Sequence, residues 1–209
     1  MKAHTKETQA AISPLDAIEI LKEGNLRFIK NQQADRDLLD QVADTATGQY
    51  PFATILSCID SRVSAELVFD QGVGDIFSVR VAGNIINEDL LGSMEFACKL
   101  AGTKLIVVLG HTSCGAVKGA CDGAQMGNLT ALLNKIQPAV NAVNEPADPN
   151  LRNSKNLTFV DEVAEKNVAL TMDNIRHHSP VLKEMEDAGE IKIIGGMYDI
   201  HSGQVRFFD

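Results

Sequence analysis

Two short apolar runs constrain this chain more than anything else in it: FATILS at residues 52–57 and KLIVVLG at residues 104–110. Unbroken runs of this length read as strands buried on both faces, and such strands belong to parallel sheets covered by helices. Each run leads into a helix-like segment. Further strands are expected at 75–81 and 190–195, with helical stretches near 63–70, 87–101 and 115–141. That alternation predicts an α/β fold with a mostly parallel central sheet, flanking helices and right-handed crossovers. A last strand, QVRFF at 204–208, follows Ser202 and Gly203 at a spacing that suits a hairpin with 191–197, so an antiparallel edge is expected.

Ahead of the first strand lies a helical arm, residues 13–47. Ser13 is a cap residue, Pro14 suits a first helical position, and Asp16 places an acid in the first turn. Ile18, Leu21, Leu26, Phe28 and Ile29 continue on a largely 3.6-residue period, which gives an apolar face suited to a partner copy. Residues 35–47 read as a second, more polar helix ending near Gly48. Late in the chain, NEPADPN at 144–150 is a turn-rich break. A long helix from about 156 to 176 follows, with Leu157, Val160, Ala164, Val168 and Ile175 toward a core. No composition shift marks a linker, so residues 1–209 are expected to form a single domain carrying the arm.

Composition excludes several classes of function. No apolar stretch approaches the roughly 20 residues that span a bilayer, and residues 1–12 lack the apolar core of a secretory signal, so a cytoplasmic location is expected. A formal net charge of −9, with no basic cluster and no interleaved aromatics, disfavours nucleic acid as a partner.

The chemistry sits where the two apolar runs end: CIDSR at 58–62 follows one, and HTSC at 111–114 ends the other. Carboxyl ends of strands in open α/β sheets are where ligands bind. Cys58, His111 and Cys114 therefore offer three zinc ligands from two strand ends and leave one coordination place free, the pattern of catalytic rather than structural zinc. Asp60, two residues past the first ligand, is placed to orient a nucleophile, and Arg62 can hold Asp60 ionised through a charge-assisted pair. Cys98 and Cys121 read as structural, the second lying two helical turns beyond Cys114. His177 and His178 suit a helix carboxyl terminus, His201 a turn, and His4 a mobile terminus.

These motifs resemble the pair found in the β-class carbonic anhydrases. The similarity extends through residues 52–84, including DQGVGDIF at 70–77 and RVAGN at 80–84, through LIVVLGHTSCGAVKG at 105–119, and to GGMYDIHSG at 195–203. The resemblance implies reversible hydration of CO₂ to bicarbonate and a proton, one zinc per chain, and a zinc-bound hydroxide as nucleophile. It further implies that Gln49 hydrogen-bonds substrate, as in the plant-type subgroup. Phe77 and Ala82 then line the pocket, and the Gly115 N–H binds a substrate oxygen. Phe96 stands where that subgroup commonly has tyrosine, keeping an apolar wall without the hydroxyl. A homodimer, or two dimers joined as a tetramer, with the pocket completed across the interface, is implied as well.

Two alternatives share the motif pair: hydrolysis of carbonyl sulfide or carbon disulfide on the same scaffold, and a non-catalytic zinc or bicarbonate-binding protein. Some bacterial relatives bind bicarbonate at a separate pocket built from a tryptophan, an arginine and a tyrosine. Arg80 and Tyr198 match two of these, but the tryptophan position is Ile55, so that pocket is expected to be incomplete and the Asp60–Arg62 pair intact.

Overall fold

The computed structural model describes residues 2–208, so the two terminal residues of the expected 1–209 domain lie outside it. The chain runs α1 (Lys6–Ala11), α2 (Pro14–Ile29), α3 (Leu38–Thr45), β1 (Ala53–Ser57), α4 (Ala65–Val68), β2 (Ile76–Arg80), α5 (Glu88–Glu95), β3 (Leu105–His111), α6 (Gly115–Cys121), α7 (Gly127–Asn134) and α8 (Gln137–Ala142). It continues with α9 (Leu157–His178), α10 (Pro180–Asp187), β4 (Lys192–Tyr198) and β5 (Val205–Phe208). The sheet order is β2-β1-β3-β4-β5. The first four strands are parallel and β5 is antiparallel, with Tyr198 opposite Val205.

Every residue of β1 and β3 is buried, as the apolar runs require. Neighbouring side chains leave opposite faces of the sheet. Leu56, Ile106 and Val108 join α9 on one side, while Ile55, Leu105, Val107 and Leu109 meet α2 and α4 on the other. Helix α9 lies close against the first side because Gly110 and Gly195 leave room for Val168: a Cβ at either would come within 2.9 Å of that side chain.

The arm docks on its own chain. Ala17, Ile18 and Leu21 are buried in the second cluster. Gly24 sits so close to α4 that a Cβ there would lie 1.8 Å from the Phe69 carbonyl oxygen. Asn25 donates to Val68 O and Gly203 O and accepts from the Val205 N–H. Asp70, with its side chain 3% exposed, holds both Arg27 and Arg36. The face expected for a partner is thus largely spent within the chain, although Leu15, Leu26 and Ile29 remain exposed.

Several expected boundaries move for identifiable reasons. The 115–141 stretch breaks into α6, α7 and α8, since Gly123 and Gly127 take left-handed φ values of 62 and 42 and Pro138 restarts the backbone at the head of α8. The 63–70 helix shrinks to α4, beyond which Asp70 turns left-handed (φ 46) to meet its two arginines. The 87–101 helix widens into a π-helical turn at Phe96–Leu100. The second arm helix begins only at Leu38, capped by Asp37. Strand β4 starts later than expected because Glu190 N–H still closes α10, itself unanticipated, on Met185 O. Leu157 is 48% exposed rather than in the core. His4, expected in a mobile terminus, packs edge-on against Phe52 just before α1. No helix among the described residues is long and apolar enough to cross a membrane.

Candidate metal centre

Ser57 pairs with Leu109, so β1 and β3 finish at the same edge of the sheet. Cys58 is the first residue past β1, His111 ends β3, and Cys114 stands at the head of α6. All three are buried, and their ligand atoms lie within 4.8 Å of one another. The two Sγ atoms are 4.0 Å apart. That is close to the roughly 3.8 Å between two sulfurs on a tetrahedral zinc with Zn–S bonds of about 2.3 Å.

His111 is fully buried, with Nδ1 3.0 Å from Thr112 O. A carbonyl only accepts, so Nδ1 carries the proton of this hydrogen bond and Nε2 presents a lone pair. Nε2 has no hydrogen-bond partner among the described residues. Leaving a buried acceptor unmet costs about 1–3 kcal/mol, and a cation between it and the two thiols removes that cost. Two soft thiolates with one imidazole suit zinc. Without a cation, the Cys114 thiol donates to Cys58 and draws it down to about 4. Cys114 is pushed above the usual thiol range by that same bond, by burial and by the neighbouring thiolate. A divalent ion relieves the conflict, because both sulfurs can then be thiolates.

Asp60 Oδ2 lies 4.0 Å from His111 Nε2. Arg62 donates from Nε to Oδ1 at 2.9 Å and from Nη2 to Oδ2 at 2.7 Å, and its backbone N–H donates to Oδ1. These bonds hold the Asp60 carboxyl well below the usual carboxylate range. Arg62 is itself half exposed, so the pair contributes orientation more than stability. The expected Asp60–Arg62 pair is therefore in place.

The loop carrying Cys58 and Asp60 is clamped from β2. Arg80 donates from Nε to Cys58 O at 3.0 Å and from Nη2 to Asp60 O at 2.8 Å. The Gly83 N–H points at Cys58 Sγ, 3.4 Å away, and Asn167 of α9 holds Gly83 O. On the other loop, the Ser113 N–H donates to Asp161 Oδ1 at 2.7 Å. Ile55 and Tyr198 both belong to the apolar cluster on the arm side.

The remaining expected site residues are not all brought to this edge. Ala82 lies just past β2 beside Gly83, and Gly115 follows Cys114 directly at the exposed start of α6. Phe77, by contrast, pairs with Thr54, four residues short of Cys58 and roughly 13 Å down the strand. Its ring meets Phe96 edge-on at 6.4 Å in an open groove between β2 and α5. Gln49 is exposed ahead of β1, with the whole five-residue strand, roughly 17 Å, between it and Cys58. Within one chain, Gln49, Phe77 and Phe96 do not reach the thiolates.

A family profile described as carbonic anhydrase matches residues 53–205. The solved β-carbonic anhydrase CafA of the fungal pathogen Aspergillus fumigatus superposes with a TM-score of 0.70 at 27% identity, covering 92% of this chain and 89% of that one. The chain belongs to the β-carbonic anhydrase family. Carbonic anhydrase 2 of Mycobacterium tuberculosis is 37% identical over 203 residues, 94% of each chain. The carbonic anhydrase of Pseudomonas aeruginosa is 31% identical over 198 residues, covering 90% of this chain and 86% of that one. Family and fold make the chain an enzyme, a carbonate dehydratase of the lyase class, and support CO₂ hydration.

In this β-carbonic anhydrase, the sequence marks the three candidate ligands that the structure brings together, but not what holds them. Asp161 reads in sequence as an ordinary solvated acid on a helix. Asn167 carries a fainter signal, since it interrupts the apolar stripe of α9 between Val163 and Thr171. Arg80, which in sequence matches one member of an anion pocket, donates to the Cys58 and Asp60 carbonyls.

Proposed function

We propose that this enzyme interconverts CO₂ and bicarbonate with zinc held by Cys58, His111 and Cys114. The observation that carries the reading is the unpartnered, buried His111 Nε2, facing two thiols and 4.0 Å from the ionised Asp60. A zinc ion bound there would supply Lewis acidity that brings proton loss from water toward neutral pH. Asp60 Oδ2 accepts a hydrogen bond from the nucleophilic water and so turns an oxygen lone pair toward CO₂. Arg62 occupies both Asp60 oxygens, which keeps the carboxylate charged and keeps it from turning inward as a fourth ligand. Ala82 and the Gly115 N–H border the reacting atoms, one as apolar wall and one as donor to a substrate oxygen.

We further propose a homodimer as the minimal unit, with two dimers able to form a tetramer. Gln49, Phe77 and Phe96 lie too far from their own thiolates to serve them; Gln49 and Phe96 are exposed and Phe77 is half-buried, a set left for a second copy to cover. In that arrangement each chain lends the partner's pocket an amide and two apolar rings, which suits a substrate with no charge and no donor. Stopped-flow hydration of CO₂ by zinc-loaded protein tests the reading, with carbonyl sulfide and carbon disulfide run in parallel. Rapid turnover of CO₂ is expected; turnover confined to either sulfur compound, or none at all, overturns it.

A further inference from the structure

The metal ligand His111 hydrogen-bonds a peptide group that is itself held from its far end. Thr112 O accepts from His111 Nδ1 at 3.0 Å, and the N–H of the same peptide, on Ser113, donates to Asp161 Oδ1 at 2.7 Å. This peptide is not among the cis bonds of the chain, so its C=O and N–H point in opposite directions. Carboxylate, amide and imidazole thus form one line. A negative charge at the N–H end polarises the amide toward its oxygen, and hydrogen bonds in such a chain strengthen one another.

Backbone strain marks the same place. Ser113 has φ 55, a left-handed conformation that a residue other than glycine keeps only where its surroundings enforce it. Three bonds do so here: Thr112 N–H to Tyr198 O, Ile200 N–H to Thr112 Oγ1, and Ser113 N–H to Asp161. Asp161 is the charged member. It projects from an early turn of α9, and α9 is fixed against the sheet at Gly110 and Gly195. The core, not the loop, therefore sets where the carboxylate stands.

We propose that Asp161 is a positioning residue for His111. Acting through the Thr112–Ser113 peptide, it fixes the Nδ1-protonated tautomer, aims Nε2 between the two thiols and strengthens Nε2 as a donor. Metal-bound histidines commonly receive this support from a carboxylate directly; here one peptide stands between. The inference rests on the reading of Cys58, His111 and Cys114 as a zinc site, but the hydrogen-bonded line exists without metal and is measured separately.

The test compares wild type, Asp161→Ala, Asp161→Asn and Val160→Ala, the last opening a small cavity in the same helix. In ¹⁵N-histidine-labelled, metal-free wild type, the His111 Nδ1 proton should be far downfield and slow to exchange. Asp161→Ala should move it upfield and speed its exchange. Asp161→Asn, which keeps the shape and loses the charge, should shift it part of the way. In zinc-loaded protein, zinc transfer to a competing chelator should quicken about 10-fold or more in Asp161→Ala and less in Asp161→Asn. Val160→Ala should leave both readouts as in wild type. An unmoved His111 proton in both Asp161 variants overturns the proposal, as does an equal response from Val160→Ala. A wild type that takes up no zinc overturns the metal reading, and the metal-free spectra still decide the role of Asp161.

Discussion

Asp60 Oδ2 stands 4.0 Å from His111 Nε2 while both oxygens of that carboxylate are engaged by Arg62. The two side chains face one space with different duties, His111 offering a lone pair and Asp60 an acceptor held back from it. Cys58→Ser and His111→Ala should therefore empty the metal site, from about one zinc per chain to well below it. Metal analysis after exhaustive dialysis reads this directly. Full zinc occupancy in either variant would remove that residue from the ligand set.

The buried carboxylate of Asp70 should govern acid stability. Burial raises its pKa, but Arg27, Arg36 and the Ala34 N–H outweigh burial and leave it lowered. A carboxylate whose folded pKa is depressed adds stability above its unfolded value of about 3.9, and that stability is lost as pH falls below it. Asp70→Asn removes the charge that Arg27 and Arg36 both face, and near pH 7 it should cost about 3 kcal/mol, the low end for a broken buried pair because Arg27 is partly exposed and Arg36 keeps its bonds to Ala34 O and Asp70 O. Urea unfolding at a series of pH values should show the gap between variant and wild type closing below about pH 4. A gap independent of pH would contradict this account.

Docking of the arm on α4 depends on Gly24. A methyl group there would lie 1.8 Å from a backbone oxygen that cannot swing aside. Gly24→Ala should destabilise by about 1–3 kcal/mol despite the better helix propensity of alanine. Thermal unfolding checks the sign; a stabilised variant would mean that the arm sits elsewhere.

The proposed sharing of the pocket between two chains makes a complementation prediction. In a mixed dimer of one Asp60→Asn chain and one Phe77→Ala chain, donation across the interface leaves one pocket with both defects and the other intact. Such hybrids, purified with two different tags, should regain about half the activity of wild type. Hybrids no more active than the two parents would place Phe77 in the pocket of its own chain, against the register that sets it beside Thr54.

What the sequence made legible follows from the range of the interactions involved. The strands were readable because β1 and β3 are buried throughout, and an apolar run is a local signal. The candidate ligands were readable because His111 and Cys114 share one short loop and Cys58 follows a strand directly. The breaks in the 115–141 stretch fall at Gly123, Gly127 and Pro138, residues that end a helix only where the surrounding fold turns the chain. Asp161 and Asn167 act on loops 48 and 84 residues away, so no local pattern marks them. Nor could spacing show that Gln49 and Phe77 lie far from the thiolates, since strand register settles that.

The central claim is that Cys58, His111 and Cys114 hold zinc while Asp60 directs the chemistry without binding it. The most direct test is zinc content and CO₂ hydration measured on one preparation of Asp60→Asn. The account predicts wild-type zinc with hydration reduced about 10²-fold or more, the scale of removing a group that handles a proton in the reacting complex. Zinc lost in proportion to activity, or activity left intact, would contradict it.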